Sequence, residues 1–316
     1  MRLPRVSPAG YRRITLVALV ALTAIVVTGG AVRLTSSGLG CSTWPACEPG
    51  SLTPEFSLHP MVEFSNRVVS AIVGLAVLAT VLGAWLRRPR RRDLTLPALG
   101  LVLGFLAQAV LGGLTVLFHL SPVLVMAHFL VSMLLLWDAF VLWQRAGRPP
   151  GPRAPSVRAE VLLLGRIVAG AAGLVLTLGT VVTGTGPNSG ASVVTRLPFD
   201  VRSVAQLHSD VVLFLTGVTL ALAVVLRMVQ APPRARKRCL LLLALIVAQG
   251  TVGYTQFFLG QPRPLVGLHI LGATLFWLAT LALVSSLYRD PTAEPTAEPP
   301  PESMAAAATR PLATAR

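Results

Sequence analysis

Eight long apolar stretches divide this chain, at about residues 14–34, 61–86, 97–118, 122–144, 161–184, 203–226, 239–259 and 264–288. A bilayer core is crossed by roughly 20 apolar residues in a helix. No water is present there to satisfy backbone N–H and C=O groups, so only helices or a closed barrel can span it. The stretches are solidly apolar and do not alternate with a period of two, as barrel strands would. They predict an all-α integral membrane protein with eight transmembrane helices. Only 12% of the residues are charged, against about 25% in an ordinary soluble domain.

The arginines orient these helices. They cluster before the first stretch and after the second, fourth, sixth and eighth, with Arg12, Arg88, Arg148, Arg234 and Arg289 as examples, and these clusters hold 21 of the 27 Lys and Arg. The positive-inside rule makes that side cytoplasmic, with both termini inside. The net charge of +15 is therefore a topology signal. A nucleic-acid site is not expected, because the charge is split among separate loops without interleaved aromatics. The first stretch is too long for the apolar region of a cleaved signal peptide and reads as an uncleaved first helix. The Arg- and Ala-heavy composition suggests a GC-rich bacterial gene and thus a plasma membrane. The tail from 289 is rich in Pro, Ala, Thr and Glu and is expected to be disordered.

The two halves repeat. Ala107-Gln108 is followed by Gly112 and His128, and Ala248-Gln249 by Gly253 and His269, at a constant offset of 141. Val27-Thr28-Gly29-Gly30 closes the first stretch as Val182-Thr183-Gly184-Thr185-Gly186 closes the fifth. Two tandem four-helix bundles are expected, 1–144 and 161–288, joined by a Pro- and Arg-rich linker at 145–160. With an even number of spans per half, the pseudo-two-fold axis would run along the membrane normal.

The four spans that run inward carry Asn66, His128, His208 and His269 at one depth, five or six residues in, or roughly 8–9 Å at 1.5 Å per residue. Polar residues at that depth face a bundle interior and mark function. Neutral imidazole is a good axial ligand for heme iron, and two histidines on facing helices can clamp one heme. His208 and His269 form such a pair. The alternative for any one histidine is an ordinary helix–helix hydrogen bond. Zinc would want ligands at short spacings that this chain lacks.

The first outer loop, about 35–60, holds Cys41 and Cys47, six apart on the oxidising side. They can form a disulfide, either a structural staple or a redox-active pair. Glu63 lies three residues before Asn66 on one helix face. It reads either as an acid, base or charge stabiliser or as an i, i+4 ion pair with Arg67. The outer-side Arg33, Arg67, Arg196, Arg202 and Arg263 could pair with anionic heme propionates or snorkel to lipid headgroups.

The segment Gly29-Gly30-Ala31-Val32-Arg33-Leu34-Thr35-Ser36-Ser37-Gly38-Leu39-Gly40-Cys41, with Trp44-Pro45-Ala46-Cys47, Glu63-Phe64-Ser65-Asn66-Arg67 and the repeated Ala-Gln…Gly…His units, resembles the heme A synthase family. The resemblance covers roughly 14–288. It implies oxidation of the C8 methyl of heme O to the formyl of heme A, by successive hydroxylation to a geminal diol that loses water. It implies a heme b cofactor at His208 and His269 and a substrate heme near His128, with Glu63 as the functional carboxylate. Arg67 would help bind the cofactor, and Cys41 and Cys47 would form a disulfide. Heme O synthase and an electron donor are the implied partners, and a homo-oligomer is compatible with it. Many members carry His in a Glu-x-x-His-Arg pattern where this chain has Asn66, a neutral amide and a poor iron ligand. His128 alone would then hold the substrate heme, unless His59 or His119 supplies a ligand. The competing functions are a di-heme b-type cytochrome for electron transfer and a heme-binding assembly or transport protein. A transmembrane cytochrome would want ligands toward both faces, whereas these candidates lie near one.

Overall fold

The computed structural model describes residues 5–51, 53–188, 190–191 and 194–290. The expected tail beyond Asp290, with Arg310 and Arg316, lies outside the described residues, as does Arg2. Eight helices account for most of the described residues: α1 Pro8–Leu34, α2 Leu58–Leu86, α3 Arg92–Leu117, α4 Pro122–Ala146, α5 Ala159–Thr185, α6 Val201–Met228, α7 Pro233–Phe258 and α8 Arg263–Ser286. All eight are long and apolar enough to cross a membrane, and the chain is a multi-pass membrane protein.

Several helices overrun the apolar stretches at their basic ends. α1 starts at Pro8 rather than 14, and α7 at Pro233 rather than 239. Arginines cover the extra turns because their stems lie along apolar surface while their heads reach water. Ser7 caps α1 by accepting the Gly10 N–H at 3.1 Å, with Pro8 in the first turn, where a missing N–H costs nothing. Pro97 sits inside α3 and leaves the Asp93 carbonyl without its helical donor. Arg145 of α4 replaces that donor, its Nη1 bonding the Asp93 oxygen at 3.2 Å.

Each half closes as a ring. α1 packs on α2, α2 on α3, α3 on α4 and α4 back on α1, and α5 to α8 do the same. The rings meet through α1–α8, α4–α5 and α4–α8. Exchanging every helix for the one four places away maps these contacts onto themselves. At the centre of the joint, the Trp277 indole of α8 donates to the Met133 carbonyl of α4 at 2.9 Å. Leu94, Leu101, Leu136 and Leu142 are fully buried in one half, and Leu215, Leu222, Leu242 and Leu283 in the other. Leu75, Leu103, Phe214 and Leu241 are exposed, as suits side chains whose solvent is lipid.

The repeat is visible in the backbone. The turn after α3 and the turn after α7 share three successive backbone bonds, at residues 118–120 and 259–261, at the offset of 141. Leu120 N–H bonds Thr115 O at 2.7 Å, and Gln261 N–H bonds Gln256 O at 2.6 Å. Satisfying end carbonyls this way needs left-handed backbone, found at His119 (φ 50°) and Leu120 (φ 58°) and again at Gly260 (φ 75°) and Gln261 (φ 62°). The match at the first and fifth helix ends is corrected. α1 and α5 are both 27 residues long, starting at Pro8 and Ala159, so Thr28 is level with Gly179 and not with Thr183. Gly29 and Gly30 do not end α1, which continues to Leu34. A helix inside a bilayer has no water to accept freed backbone groups, and Gly30 lies flush against Ile270 of α8.

Between α4 and α5 the chain is tied to the end of α8. The short strands β1 Ala154–Pro155 and β2 Tyr288–Arg289 pair antiparallel, with Ala154 opposite Arg289.

Candidate functional site

In the C-terminal half, each helix contributes one element at a common level. α6 carries His208 and α8 carries His269, while α5 and α7 present Gly179 and Gly253. A Cβ built on Gly179 would lie 3.3 Å from His208 Cε1, and one on Gly253 would lie 3.4 Å from His269 Cε1. Each imidazole therefore rests on a bare stretch of neighbouring helix. The Nδ1 atoms of His208 and His269 are buried without a hydrogen-bond partner. The glycine of the repeated unit thus has a physical reason: it seats the histidine.

The N-terminal half keeps one seat and rebuilds the other. His128 of α4 lies over Gly112 of α3, with a Cβ there 3.6 Å from Cε1. Its Nδ1 is likewise buried and unpartnered. Where His208 meets Gly179, this half has Asn66 of α2 and Thr28 of α1. The Thr28 hydroxyl donates to Asn66 Oδ1 at 2.9 Å. Beside this pair, an apolar groove of about 340 Å³ runs between α1 and α2, past Leu58, Met61, Val62 and Val69. Gln108 braces the His128 turn: its amide donates to His128 O at 2.9 Å and to Ser132 Oγ at 2.5 Å. In the other half, Gln249 lies directly over Gly272, and both glutamine Oε1 atoms are buried without partners.

Glu63 and Arg67 form the i, i+4 ion pair, at 2.6 Å. Glu63 is 6% exposed, and its other oxygen accepts the Cys41 N–H at 2.8 Å. Arg67 donates to three carbonyls of the same loop, Thr43 at 3.1 Å, Pro45 at 3.2 Å and Ala46 at 3.0 Å. Cys41 and Cys47 are joined by a disulfide. The pair on α2 therefore clamps the disulfide loop from below. The loop reaches the site through Trp44, whose indole covers Gly113, one residue from the His128 seat.

The remaining candidates lie elsewhere. His59 Nδ1 is 3.0 Å from Ser37 Oγ within the outer loop. His119 is exposed in the α3–α4 turn. Arg33 spans the two halves, donating to Thr183 O at 2.8 Å, and Arg263 reaches Ser36 Oγ at 3.5 Å. Cys239 is a free buried thiol bonded to Thr219 O at 3.6 Å. Among the described residues no three His, Cys, Asp or Glu side chains gather as a bare metal ion would need. Sequence reading placed Thr28 only in a repeated helix-end motif and missed Gly179. The signal that finds them is helix register: both are set by counting from the helix starts.

Fold and site together define a duplicated eight-helix membrane protein with one histidine-pair site and one altered copy of it. The COX15-CtaA family, described as cytochrome oxidase assembly protein, matches residues 12–281, and the chain belongs to that family. It is similar to a heme A synthase of Bacillus licheniformis, 33% identical over 116 residues, which is 36% of this chain and 38% of the relative. It is also similar to a heme A synthase of an Exiguobacterium species, 32% identical over 110 residues, 34% of this chain and 36% of the relative. A third, from Exiguobacterium sibiricum, is 29% identical over 143 residues, 44% and 48% of the two chains. Each match spans less than half of the relative.

Proposed function

We propose that this chain is a heme A synthase, oxidising the C8 methyl of heme O to the formyl group of heme A through successive hydroxylation and loss of water. Family membership supports the reaction. The observation that carries the reading is the unequal pair of seats: two glycine-seated histidines in one half, and one histidine facing a Thr28–Asn66 pair in the other.

The residues of the C-terminal half fit a resident heme b. His208 and His269 would hold it between them, and Gly179 and Gly253 leave room for rings that a side chain would displace. Heme, when bound, supplies one-electron and oxygen chemistry that side chains lack. In the N-terminal half, His128 would hold the substrate heme from one side. Asn66, kept by Thr28, is a neutral amide and leaves the other side without a strong ligand. The apolar groove beside Asn66 gives a large apolar substrate access from between α1 and α2. Glu63, with Arg67, holds the Cys41–Cys47 loop and Trp44 over this half; Glu63 would serve there as the functional carboxylate, and Arg67 would help to bind the cofactor. The termini would be cytoplasmic, the membrane a bacterial plasma membrane, and the partners heme O synthase and an electron donor.

The test is to express the chain with a source of heme O and to separate the extracted hemes by chromatography. Heme A is the expected product. Bound heme b without conversion would instead make the chain an electron-transfer cytochrome, and the absence of any heme would make it a scaffold or transporter.

A further inference from the structure

At the basic ends of the helices, far from the histidines, a pocket of about 250 Å³ lies at the joint between the two halves. Six arginines line it, and its only acid among the described residues is Asp290. They converge from separate elements: Arg12 from α1, Arg148 from the segment after α4, Arg153 from beside β1, Arg234 and Arg238 from α7.

Some of these donors are already used. Arg153 bonds Asp290 at 3.0 Å and Tyr288 O at 2.8 Å, Arg148 reaches Asp290 at 3.3 Å, and Arg238 donates to Ala282 O at 2.7 Å. Arg12 and Arg234 make no hydrogen bond to any described residue. Arg12 lies over the Trp143 ring, 5.6 Å from its centroid. Arg234 is in the first turn of α7. Burial, and then the neighbouring Arg153, hold the Arg148 guanidinium below the ordinary arginine range. One aspartate leaves most of this like charge unbalanced, and an anion would balance it.

The surroundings say what kind of anion. The pocket opens where the helices leave the membrane, beside Trp143, a residue type that favours the headgroup level. Leu16 lies one turn deeper than Arg12 on the same face of α1, and Leu241 one turn deeper than Arg238 on α7. Both leucines are exposed. Arginines above and bare leucines below match a phosphate with an acyl chain beneath it. Basic pockets between transmembrane helices are a known way to hold anionic headgroups.

We propose that this pocket is a binding site for an anionic phospholipid, its phosphate held by Arg12, Arg148, Arg234 and Arg238 at the joint between the halves. The test uses the purified full chain, loaded from phosphatidylcholine vesicles with and without phosphatidylglycerol and examined by native mass spectrometry. Retained phosphatidylglycerol is expected, in preference to phosphatidylcholine and resistant to added inorganic phosphate. Arg12→Gln with Arg234→Gln should weaken retention about fivefold per arginine removed. Neither arginine bonds the rest of the fold, so circular dichroism should be unchanged. Arg13→Gln, on a neighbouring exposed residue outside the pocket, should retain lipid as the parent does. Equal retention of the two lipids, displacement by inorganic phosphate, or full retention in the double variant would overturn the proposal. So would retention seen only in Glu294→Gln/Glu298→Gln/Glu302→Gln, which would give the pocket to the chain's own acidic tail.

Discussion

The Thr28 hydroxyl bonds Asn66 Oδ1 at 2.9 Å, at the level where Gly179 touches His208 in the other half. The two differences between the halves form one unit. Replacing histidine with asparagine leaves a shorter side chain, and the neighbouring helix fills the gap with threonine instead of glycine. The amide then has a partner, as a polar group inside a membrane must. Asn66 is built into the bundle and cannot be treated as a lone lesion of a histidine site.

Restoring the histidine therefore takes two substitutions. Asn66→His alone drives an imidazole into the Thr28 side chain. Thr28→Gly with Asn66→His recreates the Gly179–His208 seat, at about 1 kcal/mol for a glycine inside a helix. The double variant should show a second bis-histidine heme in optical and EPR spectra, with loss of heme A formation. If the single variant gives the same spectrum and stability as the double one, Thr28 does not control this position.

Removing histidines should separate the two sites. His208→Ala and His269→Ala should each abolish the resident heme signal of the C-terminal half. His128→Ala should leave that signal and remove substrate heme. A hydrogen-bonding role alone predicts lost thermal stability with heme content intact, of about 0.6 kcal/mol for a typical contact between membrane helices. Heme content per chain, measured as the pyridine hemochrome, decides between these.

The Glu63–Arg67 clamp makes a different prediction. Arg67→Lys keeps the charge but cannot reach three carbonyls and a carboxylate with one ammonium group. Each charge-assisted bond lost removes about 1.5–3 kcal/mol of local stability. The 41–47 loop should become protease-sensitive, while the heme spectrum of the C-terminal half stays unchanged. Glu63→Gln keeps an acceptor for the Cys41 N–H and should loosen the loop less than Glu63→Ala. A loop equally protected in all three variants would leave Glu63 free for direct chemistry.

The eight helices and the Gln-Gly-His repeat were legible because both are patterns of side-chain type, spaced by the membrane and by one duplication. Helix ends were less legible, because arginines that look like loop residues serve as snorkelling helix residues. The Val-Thr-Gly match between α1 and α5 misled, since a glycine stops a helix only where something else can satisfy its backbone. The Arg67 clamp could not be read at all. Its targets are carbonyls of Thr43, Pro45 and Ala46, and a carbonyl has no signature in sequence. The sequence left Glu63 open between a functional carboxylate and an ion pair with Arg67; the ion pair is present, and the second bond, to the Cys41 N–H, was hidden for the same reason.

His119 offers a last check on ligand assignment. It occupies left-handed backbone at φ 50°, and the equivalent position after α7 is Gly260 at φ 75°. A side chain in that conformation costs roughly 1–2 kcal/mol, of which glycine's extra chain entropy gives back roughly half. His119→Gly should therefore stabilise the protein by about 1 kcal/mol and raise its melting temperature, because the turn loses strain and keeps every backbone bond. Gly260→His should do the reverse. Heme content and heme A formation should not change in His119→Gly, since the residue lies in an exposed turn. A variant that melts higher but loses heme from the N-terminal half would make His119 a ligand and would remove His128 from its place as the sole histidine of that site.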